Sequence, residues 1–195
     1  MVTDHGHKIL TIDNAIPDDV CDGIVETFEW VLENKKDEVA ANYACGGCTI
    51  CTCTRLDMQL YPEFENLYYN AMEKIADSID IYTDEVVNKE YANWPKQYAW
   101  EAVSIKKYKA LSGESQVHHS DQWNISSSKR FLIFFAYLTD VLDGGNTYFK
   151  EYDISIPPKK GSILLFPPFW THVHKGEAAI SNDKYIIKSS LMYSS

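Results

Sequence analysis

The second half of the chain is broken into short β-rich runs, and this interruption constrains its fold more than any other feature. "EAVSIKKYKA", "KRFLIFFAYLTD", "NTYFKEYDISIPP", "GSILLFP" and "KYIIKSSLMY" succeed one another after Trp100, separated by Gly, Asp, Asn and Pro. β-branched and aromatic residues suit a pleated, half-buried surface, and the separating residues are those that turn a chain sharply. Turn signals at this interval predict a sandwich or jelly roll.

The first hundred residues have a different texture. "HKILTID" (7–13) reads as an opening strand. Pro17 and the acids behind it mark a helix start, and Val20, Ile24, Val25, Phe28, Val31 and Leu32 then recur at helical spacing. "TRLDMQLYP" (54–62) alternates, which puts Leu56, Met58 and Leu60 on one side of a strand. A second helix is predicted from Glu63 to about Asn88, with Phe64, Leu67, Met72, Ile75 and Ile79 inward. The expected class is α+β: helices from a support region (1–100) packed outside a jelly-roll core (101–195), all within one domain, 1–195.

Charge narrows the partners. Twenty-eight acids against 18 Lys and Arg leave a formal charge of −10, which disfavours nucleic acid and anionic membrane surfaces. No apolar run reaches the length of a membrane span, and "MVTDHGHKILTIDNAIP" lacks the order of a signal peptide. The expectation is a cytoplasmic protein with reduced thiols. Nothing in the sequence specifies an oligomeric state.

"HHSDQW" (118–123) raises the question of metal. On an extended segment His119 and Asp121 project to one face and His118 to the other, which favours His119 as a ligand. Two imidazoles and a carboxylate suit Fe(II) and leave coordination positions open. A third ligand must come from "FPPFWTHVHKG" (166–176), where spacing alone allows His172 or His174. Taken by itself, a histidine two residues from an aspartate is common and more often makes ordinary hydrogen bonds.

The order of residues around the pair is more specific. "SIKKYKALSGESQVHHSDQW", "RFLIFFAYLTDVLDGGNTYF" and "GSILLFPPFWTHVHKGEAAISNDKYII" together resemble the prolyl 4-hydroxylase-like branch of the 2-oxoglutarate- and Fe(II)-dependent oxygenases, over residues 100 to 194. That resemblance implies a double-stranded β-helix (jelly-roll) core, and it selects His174, which lies ten residues before Lys184, over His172. It implies His119, Asp121 and His174 as iron ligands, with Lys184 gripping the far carboxylate of 2-oxoglutarate from a strand neighbouring that of His174. Tyr108 matches a tyrosine that donates its hydroxyl to the cosubstrate, and Thr147 a position facing the cosubstrate pocket. Gly144 and Gly145 serve a tight turn, His172 becomes a rim or outer residue, and Trp123 and Trp170 are read as packing residues near the substrate opening.

The implied cofactors are Fe(II), 2-oxoglutarate and O2, and the implied reaction hydroxylates an unactivated C–H bond while 2-oxoglutarate becomes succinate and CO2. The branch suggests a prolyl residue in a peptide, although relatives act on free amino acids and other small molecules. The alternative is a non-catalytic, metal-binding jelly-roll interaction protein.

"CGGCTICTC" brings Cys45, Cys48, Cys51 and Cys53 within nine residues and departs from the family pattern. Such thiols could form a second, zinc site, a disulfide or a zinc shared between chains, or stay reduced. On one continuous strand, Cys51 and Cys53 would face away from Leu56, Met58 and Leu60, which argues against their being core filler. Cys21 is expected to be a small buried residue of the first helix.

Overall fold

Residues 131 to 138 are apolar at every position, the pattern of a strand covered on both faces rather than one. The computed structural model, which describes residues 1–35, 43–44, 52–87, 94–113 and 115–194, places this run at the centre of a large sheet. In chain order the strands are β1 (Val2–Asp4), β2 (Leu10–Ile12), β3 (Tyr43–Ala44), β4 (Thr52–Asp57), β5 (Tyr98–Trp100), β6 (Ser104–Tyr108), β7 (Arg130–Tyr137), β8 (Thr147–Phe149), β9 (Ile154–Ile156), β10 (Ile163–Phe166), β11 (His174–Gly176) and β12 (Lys184–Tyr193). Among the described residues, two helices, α1 (Asp18–Asn34) and α2 (Glu65–Tyr82), precede β5.

Among the described residues, the main sheet runs β1-β2-β10-β7-β12-β6-β4-β3, with β5 also on β12, and a small sheet runs β11-β8-β9. Every strand pairing is antiparallel. Side chains alternate across an extended backbone, so each central strand feeds two cores. From β7 and its end, Leu132, Phe134, Ala136 and Leu138 join one core with α1 and α2. Ile133, Phe135 and Tyr137 join the other, with Phe149 and Ile156 of the small sheet.

The helices seal the first face with the residues their periodicity predicts. Ile24, Phe28 and Val31 of α1 are buried, with Val20, Val25 and Leu32 packed beside them, and Cys21 is buried as expected. In α2, Ala71, Ile75 and Ile79 are buried, and the helix ends at Tyr82 in one π-helical turn, Thr83–Val87. No helix among the described residues is long and apolar enough to cross a membrane.

Two expectations change. The main sheet is not built from the C-terminal half alone, because β2 and β4 join it by pairing with β10 and β6. The strand expected over 54–62 ends at Asp57; Met58–Leu60 is a 3-10 turn, and Leu60 is exposed. Met58 N–H still bonds Val103 O at 3.0 Å, in register with the Asp57–Ser104 pair, and the chain then turns, with Tyr61 N–H closing on Met58 O at 3.3 Å. Cys53 is buried in the second core, so the inference that it is not core filler fails. Cys45, Cys48 and Cys51 lie outside the described residues, and no finding supports zinc there.

Candidate metal centre and anion pocket

His119 and His174 are held together by backbone before any ligand is considered. Each donates its N–H to the other's carbonyl at 2.9 Å, an isolated antiparallel bridge that attaches the His119 segment to β11. Asp121 follows in a turn fixed from two sides. Gln122 N–H donates to Pro168 O at 2.9 Å, and Arg130 Nη1 donates to Asp121 O at 2.7 Å. Arg130 is itself held by Glu101 at 2.5 Å, and Ser190 Oγ also donates to Glu101.

One ligand atom from each of His119, Asp121 and His174 lies within 4.8 Å of the other two, the one such group of three among the described residues. Nδ1 of His119 meets Val117 O at 2.9 Å and Nδ1 of His174 meets His172 O at 3.0 Å. With Nδ1–H given to those carbonyls, both rings turn an Nε2 lone pair to the shared space, as metal-bound imidazoles require. His174 is packed among Phe135, Phe149 and Phe166, and this burial pushes its pKa down to about 3. It is therefore neutral at physiological pH. Burial alone would raise the Asp121 carboxyl, but the Lys188 ammonium and the two imidazoles outweigh it and hold the group well below the usual range.

The donor set fits a divalent metal on the structure's own terms. Asp121 Oδ2 and His174 Nε2 are buried with no hydrogen-bond partner and stand 3.4 Å apart. Buried polar atoms left unpaired cost about 1–3 kcal/mol each, and a shared cation removes both penalties.

Beside this group, Tyr108, Thr147 and Lys184 line a single narrow cavity, together with Gln116, Phe135, Glu177, Ile186 and Lys188. Tyr108 and Lys184 are register partners across β6 and β12. Lys184 is 4 % exposed, its Nζ lies over the rings of Tyr108 and Tyr137, and it donates to the carbonyl of Gly145 at 2.5 Å. Burial, only partly opposed by Glu177, pushes its pKa down to about 7. The carbonyl it meets comes from a turn that needs glycine: Gly144 has φ +72°, and a Cβ there would lie 2.2 Å from Ala178 O. Gln116 Nε2 donates to Tyr108 Oη at 2.8 Å, and Thr147 Oγ1 shares a buried 2.8 Å hydrogen bond with Tyr137 Oη.

The sequence placed His174 and Lys184 on neighbouring strands. They are on consecutive strands, but β11 belongs to the small sheet and β12 to the main one, so the two side chains approach from opposite walls. His118 is exposed and edge-on to Tyr148, apart from the ligand group. His172 is buried, with Nε2 2.7 Å from His7 O. Trp123 and Trp170, expected to pack, are 60 % and 78 % exposed.

Lys188, Gln116, Arg130 and Glu101 escaped the sequence reading. Lys188 alone had a readable signal, since it lies four positions after Lys184 in "KYIIK" and so shares its strand face.

No family model matches the chain, and no curated protein matches it in sequence. Solved structures do. A viral collagen prolyl hydroxylase from Paramecium bursaria Chlorella virus 1, in complex with 2-oxoglutarate, superposes with a TM-score of 0.69 at 18 % identity, covering 97 % of this chain and 98 % of its own. A Trichoplax adhaerens prolyl hydroxylase, bound to a peptide from the oxygen degradation domain of hypoxia inducible factor, gives 0.71 at 15 % identity, with 96 % and 84 % covered. A Pseudomonas putida prolyl 4-hydroxylase gives 0.67 at 14 %, with 97 % and 95 % covered. The resemblance carried by the sequence motifs therefore holds in three dimensions: this chain has the fold of the prolyl hydroxylases.

Proposed function

We propose that the protein is an Fe(II)- and 2-oxoglutarate-dependent dioxygenase, its two sheets forming the double-stranded β-helix of one domain, and that it hydroxylates an unactivated C–H bond in a peptide, with a prolyl residue as the leading substrate. One observation carries this reading. A three-donor group with two unpaired buried atoms opens beside a cavity whose cation, Lys184, has a carbonyl rather than a carboxylate for a partner.

When bound, the metal and its cosubstrates would supply oxidative decarboxylation of 2-oxoglutarate to succinate and CO2, coupled to hydroxylation of the substrate. His119, Asp121 and His174 would hold the iron, and the carbonyls of Val117 and His172 keep the two rings in the required tautomer. Lys184 would meet the far carboxylate in surroundings where a charge-assisted contact is stronger than in water. Tyr108, oriented by Gln116, and Thr147, oriented by Tyr137, supply hydroxyls along the cavity wall. The Phe135–Phe149–Phe166 wall keeps water from His174. Exposed Trp123, Ile125 and Trp170, on loops joined by the Gln122–Pro168 bond, form an apolar rim suited to a peptide.

Anaerobic titration of the Fe(II)-loaded protein with 2-oxoglutarate tests the reading. A visible charge-transfer band on chelation is expected in the wild type and its loss in Asp121→Ala. Folded, iron-loaded protein that never develops the band would leave the non-catalytic metal-binding reading in its place.

A further inference from the structure

The two oxygens of the buried Asp121 carboxylate have different surroundings. Oδ2 faces His174 without a hydrogen bond, whereas Oδ1 is held by Lys188 Nζ at 2.5 Å. Lys188 leaves β12 on the same face as Lys184 and Ile186, lies over the Phe135 ring at 5.1 Å, and lines the same cavity as Lys184. The two lysines stand four positions apart on this strand face, about 13 Å between their Cα atoms, and both line the cavity while their ammonium groups end on different partners, Gly145 O and Asp121 Oδ1.

A residue present only to hold Asp121 would not need charge. Glutamine or threonine also donates a hydrogen bond, and Arg130, fixed by Glu101, already anchors the Asp121 main chain. An ammonium beside a divalent metal repels it, and with little water between them that repulsion is strong. The arrangement becomes favourable when an anion enters between the two cations.

We propose, building on the oxygenase reading, that Lys188 is a positioning residue with two duties. By occupying Oδ1 it restricts Asp121 to a single-oxygen ligand through Oδ2, which keeps a coordination position open. By facing the cavity it provides a second cation, opposite Lys184, for the near carboxylate of a dicarboxylate cosubstrate. Lys188 thus ties metal occupancy to arrival of the dianion. The bare metal is held less tightly than three protein ligands alone would hold it, and the dianion more tightly.

Two titrations on Lys188→Met and Lys188→Arg test this in the full chain. The first follows Mn(II) binding to metal-free protein by electron paramagnetic resonance. The second follows 2-oxoglutarate binding to anaerobic Fe(II)-loaded protein through its visible band. Lys188→Met should bind Mn(II) at least as tightly as wild type while its 2-oxoglutarate midpoint rises about tenfold or more, the loss of one charged hydrogen bond. Lys188→Arg should restore the midpoint to within about threefold, because it keeps both charge and donors. Weaker Mn(II) binding by a Lys188→Met protein with wild-type circular dichroism and melting would overturn the proposal and make Lys188 a support for Asp121 alone. So would an unchanged 2-oxoglutarate midpoint. If the wild type binds Mn(II) but shows no band with 2-oxoglutarate, the oxygenase reading fails separately, and the Mn(II) comparison still decides whether Lys188 restrains Asp121.

Discussion

Along β12, Tyr185, Ile187 and Leu191 point to the helices, whereas Lys184, Ile186 and Lys188 point to the small sheet. The same ten-residue strand therefore contributes to a helix-side face that is almost wholly apolar and to a site-side face carrying two lysines, both with low exposure. The neighbours repeat the division. β7 sends Leu132, Phe134 and Ala136 one way and Ile133, Phe135 and Tyr137 the other, where Tyr137 bonds Thr147. Burial of apolar area on the first face stabilises the sheet and leaves the second free to carry groups that oppose folding: an ammonium held by one carbonyl and two unpaired ligand atoms.

If that division holds, damage to one face should leave the other's property intact. The largest effect is expected for His174→Ala, which should lower Mn(II) affinity by more than about 100-fold, exceeding the loss usual for outer-shell partners. The helix-side core is untouched, so the circular dichroism spectrum should stay native. Chelation of 2-oxoglutarate by a folded His174→Ala protein would mean that the metal lies elsewhere. The mirror experiment is Phe134→Ala, fully buried on the helix side. It should cost about 3–5 kcal/mol in denaturant unfolding, while the folded fraction keeps wild-type Mn(II) affinity. A parallel loss of metal affinity would show that the faces are mechanically coupled.

The faces also differ in how well the sequence announces them. The helix-side face is written in periodicity: Ile24, Phe28 and Val31 on α1, and the apolar run of β7, could be assigned because burial of one helix stripe or of both strand faces has a fixed spacing. On the site-side face, family order named His119, Asp121 and His174, whose ligand atoms the fold groups, and Tyr108, Thr147 and Lys184, which line one cavity. That face was illegible where a contact joins distant segments. Lys188 meets Asp121 across 67 residues, and Arg130 meets Glu101 across 29; no local pattern encodes either pair. The β4 boundary was missed for a different reason: the apolar alternation runs on through Leu60, while the backbone turns into the 3-10 segment Met58–Leu60, closed by Tyr61 N–H on Met58 O at 3.3 Å.

The pH response sharpens the comparison further. Burial on the site side leaves Lys184 with a pKa of about 7, below its unfolded value. Between that value and the ordinary lysine range the unfolded chain holds a proton the ligand-free folded chain has released, so this group stabilises the fold as pH rises. Dianion binding has the opposite sign, because it requires the protonated ammonium. The 2-oxoglutarate midpoint should therefore rise with pH above about 7, approaching tenfold per unit, and Lys184→Met should bind weakly with that dependence removed. A wild-type midpoint flat between about pH 6.5 and 8.5 would take Lys184 out of the carboxylate contact.

The smallest effect is expected where the faces' logic separates side chain from main chain. His172 adjoins the site, and its carbonyl orients His174 through Nδ1. Its ring, however, points to the N-terminal turn, bonding His7 O and packing edge-on against Tyr152. His172→Ala removes the ring and keeps the carbonyl. Mn(II) affinity should change by less than about threefold, well short of the 10- to 100-fold usual when an outer-shell partner is lost, although thermal stability should fall through the broken tie to His7. A full outer-shell loss in His172→Ala would show that the N-terminal turn, through this ring, holds the carbonyl in place, and the boundary of the site would then have to include residues 5 to 9.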